Sequence, residues 1–450
     1  MTWETLYDAF DPELPVVNRP EWRVARTQGP TERIARWMDL PKGTPQVLLT
    51  GTPGSGKSTE LYRLAEARAD KEFVVLLDLD RHFTEVVGDP TALQRVAAWE
   101  VCFLAVLALV RAGEDALGLR FDTEKRELGA AWSRIAKSSQ TPEASDLDVG
   151  ALLRSMAVFA SGIAVVAGAA PTAGAGAVVL SLLAGAKEAG MGFRWKLPIG
   201  LGRRALPDQD EDLQGLVLVV NRVLGRIQSA HRAVLLIIDG LDRIRELTQA
   251  RALFVDSTML ARFSCRLVVC GPYALRHRPE LAQVRGFRPL TLVNEPVVDQ
   301  REPWKHGPGI AVFHALFERR AAEAKGLIAA PLLDRLAYYS GGRARDFVRL
   351  IRMLAERMML DDAETPTESH VDDVLDEARR LRETGLNRKH IRVLNDLAAD
   401  PLRQMPDDPA AWDLLQWDCV LPYPDGSEWF FPHPLLTLNL LRPWPPGSTA

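Results

Sequence analysis

The sequence predicts an α/β protein: a doubly wound parallel sheet, then an all-helical lid segment, then a small C-terminal module of winged-helix type. Three observations predict it. Over the first two thirds of the 450 residues, short apolar runs alternate with stretches of helical spacing, the pattern of parallel strands joined by crossover helices. A glycine-rich turn, "GTPGSGKS", falls between the first apolar run and the first long helix. From about Gly309 the spacing becomes purely helical, and the chain then closes on two β-type runs joined at Asp425-Gly426, a strong hairpin signal.

The elements follow in order. Residues 1–45, rich in Pro, Arg and Trp, form a lead-in whose helical spacing begins near Thr31. Gln46–Thr50 is a short apolar run ending at glycine, a buried strand, and a helix starts at Lys57. Phe73–Asp80 is the second strand. "TALQRVAAWEVCFLAVLALVRAG" reads as a long buried helix ended by Gly113. "DLQGLVLVVNRVLGRIQSA" is a further helix, leading into a third strand at Ala233–Asp242, and Arg266–Gly271 is a fourth. The resulting organisation is a core over 46–308, a helical lid over 309–385 and a winged-helix-like domain over 386–450.

Composition narrows the function classes. With 47% apolar and 25% charged residues the chain is an ordinary folded protein, long enough for two or three domains. A net charge of −4 gives no global attraction to nucleic acid or anionic lipid. Cys102, Cys265, Cys270 and Cys419 lack metal-ligand spacing and read as reduced thiols of a cytoplasmic protein. The N-terminal "MTWETLYDAFDPELP" carries acids and prolines where an export signal needs basic and then apolar residues.

The glycine-rich turn carries the chemistry. Gly51, Gly56, Lys57 and Ser58 fit G-x-x-x-x-G-K-[ST] in full, between a strand and a helix, so the core is expected to be that of a P-loop NTPase. Gly51, Thr52, Pro53, Gly54, Ser55, Gly56, Lys57, Ser58 and Thr59 are expected to cradle the phosphates of a nucleotide. Backbone N–H groups and the helix N-terminus favour anions there, Lys57 should reach the β- and γ-phosphates, and Ser58 should ligate Mg²⁺. "VLLIIDGLD" places Asp239 at the end of a buried strand, the expected second Mg²⁺ partner. Asp242 has two readings, polarising the attacking water or capping the following helix. No N-K-x-D motif follows the fourth strand, which favours ATP over GTP.

An apolar strand ending in "DGLD" after a P-loop resembles the AAA+/STAND group of P-loop NTPases, including NACHT-type and origin-recognition-type members. The order of nucleotide domain, lid and winged helix is similar over about residues 20–440. The resemblance implies that "SGGRARDF" is the lid turn carrying a sensor-2 arginine, Arg345, which would report the γ-phosphate to the lid. The sequence departs from the pattern in three places. Arg243 stands where another acid is usual, Gly240 occupies the Glu position of the Asp-Glu pair, and "RLVVCG" ends without Asn, Thr or Arg. These departures imply slow or assembly-dependent hydrolysis. Arg276 or Arg278 would be a trans-acting finger, or simply a surface arginine.

Ser155–Ala186 is a run without one charged residue, broken at "PTAGAG". Each half would rise only about 21 Å as a helix, short of a roughly 30 Å hydrocarbon core, so a helical hairpin insert over about 150–192 is expected. By position it resembles the membrane insert of KAP-type P-loop NTPases. Contact with the inner face of a membrane, burial in the protein or an oligomer interface, and exposure on activation remain open readings. In the C-terminal domain, five Lys and Arg stand against eight Asp and Glu from Arg388 onward, so nucleic acid is not expected to bind there. The function expected is an ATP-binding, slowly hydrolysing switch that forms a homo-oligomer with ATP and is triggered by a partner protein, a role placed by analogy in bacterial stress or phage-defence signalling. The alternatives are a DNA-binding AAA+ initiator or loader, and a non-catalytic nucleotide-binding scaffold.

Overall fold

The structure, a computed structural model, describes residues 2–12, 14, 19–27, 29–40, 45–138, 163–166, 210–277, 283–324, 326–424 and 428–441. They fall into two compact units. One comprises 30–51 and 60–291, the other 1–29, 52–59 and 292–450.

The first unit is built on a six-stranded, mostly parallel sheet. Its strands are β1 (Gln46–Gly51), β2 (Phe73–Asp78), β3 (Ile163–Val166), β4 (Val234–Asp239), β5 (Arg266–Gly271) and β6 (Arg288–Leu292), in the spatial order β3-β2-β4-β5-β1-β6. β2 pairs parallel with β4, β4 with β5 and β5 with β1. Every residue of β1 and of β4 is buried, as continuous Val, Leu and Ile runs require in a sheet covered on both faces. Each such side chain contributes about 1.5–3 kcal/mol on burial. The helix Ala98–Leu117 is apolar over most of its length and packs against the helix Asp210–Ala230 within this core.

Several expectations are corrected here. The helix expected to end at Gly113 continues to Leu117, and Gly118 ends it with φ +64°. Gly113 has a packing role instead: a Cβ there would lie 2.9 Å from the Phe121 ring. The second strand stops at Asp78, whose side chain accepts the Arg81 backbone N–H at 3.0 Å and so starts a helical turn. Of the expected helical-hairpin insert, 163–166 are described, and they form a strand antiparallel to β2 with Val75 opposite Val165. The rest of Ser155–Ala186 lies outside the described residues, as do Arg278 and the Asp425-Gly426 turn. No helix among the described residues is long and apolar enough to cross a membrane.

The second unit is mainly helical. Helices Ile310–Arg320, Ala330–Tyr339, Ala344–Leu360 and Glu368–Glu383 precede a module of two helices, Arg388–Ala399 and Pro409–Gln416. An antiparallel pair closes it, β7 (Val420–Tyr423) and β8 (Trp429–Pro432). Phe313, Phe347, Ile351, Leu421, Tyr423 and Phe431 share one core with Leu6 of the N-terminal helix Trp3–Ala9 and with Phe10, its C-cap. The Gly341-Gly342 turn between the second and third helices has positive φ at both residues, and a Cβ on Gly342 would collide with the Glu295 backbone.

Candidate nucleotide-phosphate site

β1 runs out into the glycine-rich loop, and the helix Lys57–Arg68 begins at its far end. Gly54 and Gly56 take φ +76° and +97°, backbone angles that open the loop and that side chains rarely adopt. Lys57 is buried and its Nζ donates to the Thr52 carbonyl at 2.8 Å, so the ammonium folds back over the loop. Ser58 is exposed on the first turn of the helix. The buried Ser55 Oγ has no hydrogen-bond partner among the described residues. A loop with an inward lysine, open glycines and an orphaned hydroxyl fits a bound phosphate chain. Lys57 and Ser58 would hold the phosphates and Mg²⁺, which would neutralise charge developing on the transferred phosphoryl group.

Within the same unit the loop is gripped by residues that sequence reasoning did not single out. Thr52 Oγ1 donates to Asn294 Oδ1 at 3.2 Å, and Asn294 Nδ2 donates to the Pro422 carbonyl at 3.2 Å. Arg26 donates to the Ser55 carbonyl while its Nε bonds Glu295 at 2.7 Å and its other amino group bonds the Val293 carbonyl at 3.0 Å. A Cβ on Gly56 would sit 3.1 Å from that guanidinium.

The lid turn supplies the densest contacts. Arg343, at the N-cap of Ala344–Leu360, is buried and donates to the Pro53 carbonyl of the loop, to Asp346 at 2.7 Å and to Asp418 at 2.7 Å. Arg382 joins the cluster through Asp346 at 2.8 Å and the Asp418 carbonyl at 3.0 Å. His433 Nε2 lies 3.4 Å from Asp346. Burial alone would raise the Asp346 carboxyl, but Arg343, Arg382 and His433 together hold it well below the ordinary value. Burial and the neighbouring Arg382 charge push His433 down to about 3, so it is neutral. Arg345, the arginine expected to face the loop, is half-buried, and its Cβ would lie 3.4 Å from a Cβ on Gly54. The Arg343 guanidinium reaches the Pro53 carbonyl of the loop. Its signal in the sequence was its place directly after two glycines, at a helix N-cap.

Asp239 and Asp242 belong to the sheet unit. Asp239 is buried at the carboxyl end of β4 and accepts the Gly240 N–H at 2.8 Å. It stands in register with Asp78 at the end of β2. Burial first, and then the Asp239 charge, push the Asp78 carboxyl up to about 7. Asp78 was missed because the apolar run "FVVLLDLD" offered two acids and the strand was carried through to the second. Asp242 lies in the turn Leu241–Arg243 and does not cap the next helix. That helix starts at Leu247 with Glu246 at its N-cap, so the capping reading is set aside.

No family model matches the chain, and no curated protein does. Among solved structures, the Aeropyrum pernix ORC1 protein in complex with DNA is 12% identical, with 96% of this chain and 93% of that one covered and a TM-score of 0.34. The Drosophila ORC bound to DNA is 11% identical over 96% and 89%, with a TM-score of 0.36. A Thermotoga maritima RuvB variant is 15% identical over 47% and 76%, with a TM-score of 0.25. Likenesses at this level assign no function.

Proposed function

We propose that this chain is a P-loop ATPase of AAA+/STAND type working as a switch. It binds ATP and Mg²⁺, hydrolyses slowly, and assembles into a homo-oligomer when ATP is bound, with a partner protein as the trigger. Lys57 and Ser58 hold the phosphates and the metal, Asp239 is the second metal partner, Asp242 orients water, and Arg345 acts from the lid side. The observation that carries the reading is the complete G-x-x-x-x-G-K-S loop folded between a parallel strand and a helix, with Lys57 turned over it. Slow turnover fits Gly240 in place of a second acid. At its φ of +95°, a Cβ on residue 240 would lie 2.5 Å from the Asp80 amide, so an acid cannot replace it without moving that backbone.

The test is equilibrium binding of a fluorescent ATP analogue with Mg²⁺. Lys57→Ala should weaken binding by about 100-fold or more, consistent with loss of a charge-assisted contact worth roughly 3 kcal/mol. Equal binding by wild type and Lys57→Ala would refute the site.

A further inference from the structure

The charged cluster around Arg343 contains one member that a phosphate loop does not need. Asp418 comes from the turn between the helix Pro409–Gln416 and β7, and it holds φ +59°, a left-handed conformation uncommon outside glycine. Its Oδ2 accepts from the Arg343 amino group that also donates to Pro53 of the loop. Its Oδ1 is buried and has no hydrogen-bond partner among the described residues. Burial pushes this carboxyl up, Arg343 draws it down, Asp346 pushes it up again, and Arg382 and Lys57 draw it down. A carboxylate therefore sits in the field of the phosphate-binding lysine, on an arginine that touches the loop, with one oxygen unsatisfied.

Resting on the P-loop reading above, we infer that Arg343 is a further phosphate-facing cation of this site, held in reserve by Asp418. A nucleoside triphosphate and the Asp418 carboxylate compete for the positive field of Lys57 and Arg343. The arrangement has a direct energetic consequence. Bringing a triphosphate beside a partly desolvated carboxylate is a like-charge approach, which the protein relieves by releasing Asp418 from Arg343. The freed guanidinium, planar and rich in donors, then suits a phosphate oxygen. Because coupling is reciprocal, whatever weakens the Asp418 contact tightens the triphosphate, and the triphosphate loosens the module that carries Asp418.

Asp418→Asn is nearly isosteric and Asn tolerates the left-handed backbone, so the variant should fold. In the binding titration, Asp418→Asn and Asp418→Ser should bind the ATP analogue about tenfold more tightly than wild type, a typical coupling, with a smaller gain for ADP. Asp418→Glu, which keeps the charge, should show the smallest change. Hydrogen exchange on wild type gives a second reading, with faster exchange at Val420–Tyr423 and Trp429–Pro432 when the ATP analogue is added. Wild-type binding that depends on Lys57 but is unchanged or weakened in folded Asp418→Asn would overturn the inference, as would slowed exchange in the hairpin. Absence of Lys57-dependent binding in wild type would strike the P-loop reading instead.

Discussion

Asp346 and Asp78 are both screened from water, and their surroundings drive them in opposite directions. Asp346 has Arg343, Arg382 and His433 around it and is held ionised. Asp78 is pushed toward the protonated form by burial first and then by the Asp239 carboxylate in register beside it. The same side chain thus serves as the centre of an ion cluster in one unit and as one of two acids in register in the other. The contrast separates structure from chemistry. A cluster whose charges balance holds a geometry, here that of the phosphate loop. The acid pair stands at the carboxyl ends of parallel strands, the place where open α/β sheets bind ligands.

The largest effect expected from breaking this contrast is on the balanced side. Asp346→Ala leaves Arg343 and Arg382 buried without a shared anion, and denaturant unfolding should show a loss of about 3–5 kcal/mol. A loss below about 1 kcal/mol would mean that water already screens the cluster. The apolar counterpart in the sheet, Leu236→Ala in the centre of β4, should cost about 2–5 kcal/mol through lost burial and a cavity. Unlike the charge deletion, that loss should not vary with salt.

The pH dependence sharpens the comparison with smaller effects of opposite sign. The folded-state value of Asp346 lies below its unfolded one, so its contribution is full above the ordinary carboxylate range and is lost as pH falls from there through the lowered folded value. Asp78 is raised to about 7, so the fold binds its proton better than the unfolded chain does. Its favourable contribution is full below the ordinary carboxylate value and is lost as pH rises from there through about 7. In chelator and without nucleotide, Asp78→Asn should melt higher than wild type at about pH 8 and lose the advantage near pH 4, whereas Asp346→Asn should melt lower at about pH 8. Parallel melting curves for wild type and Asp78→Asn across that range would show that Asp78 is not raised in the fold.

What the sequence made legible was whatever local pattern fixes. Four strands, β1, β2, β4 and β5, are continuous buried runs bounded by polar or glycine residues, and the loop motif lies within a single turn of chain. β6, "RPLTL", was not recognised because its exposed Arg288 and Pro289 leave too little apolar pattern. β3 lies inside a segment whose alanines and glycines suit helix or strand, and pairing with β2 decides it. Lys57 was legible from the loop motif, and Asp239 from its place at the end of an apolar run. Arg26, Asn294, Arg343 and Asp418 were not, because each reaches its partner across a long sequence separation. Arg345 was named from motif position alone, and the N-cap residue Arg343 donates to the Pro53 carbonyl of the loop.

Nucleotide at the P-loop is proposed to set the assembly state. Solution mass by light scattering tests it most directly, with ADP and then a non-hydrolysable ATP analogue, on wild type and Lys57→Ala, each with and without mild detergent. A rise to a defined oligomer is expected with the ATP analogue alone, abolished by Lys57→Ala. A mass that is constant across nucleotides in wild type, with or without detergent, would contradict it.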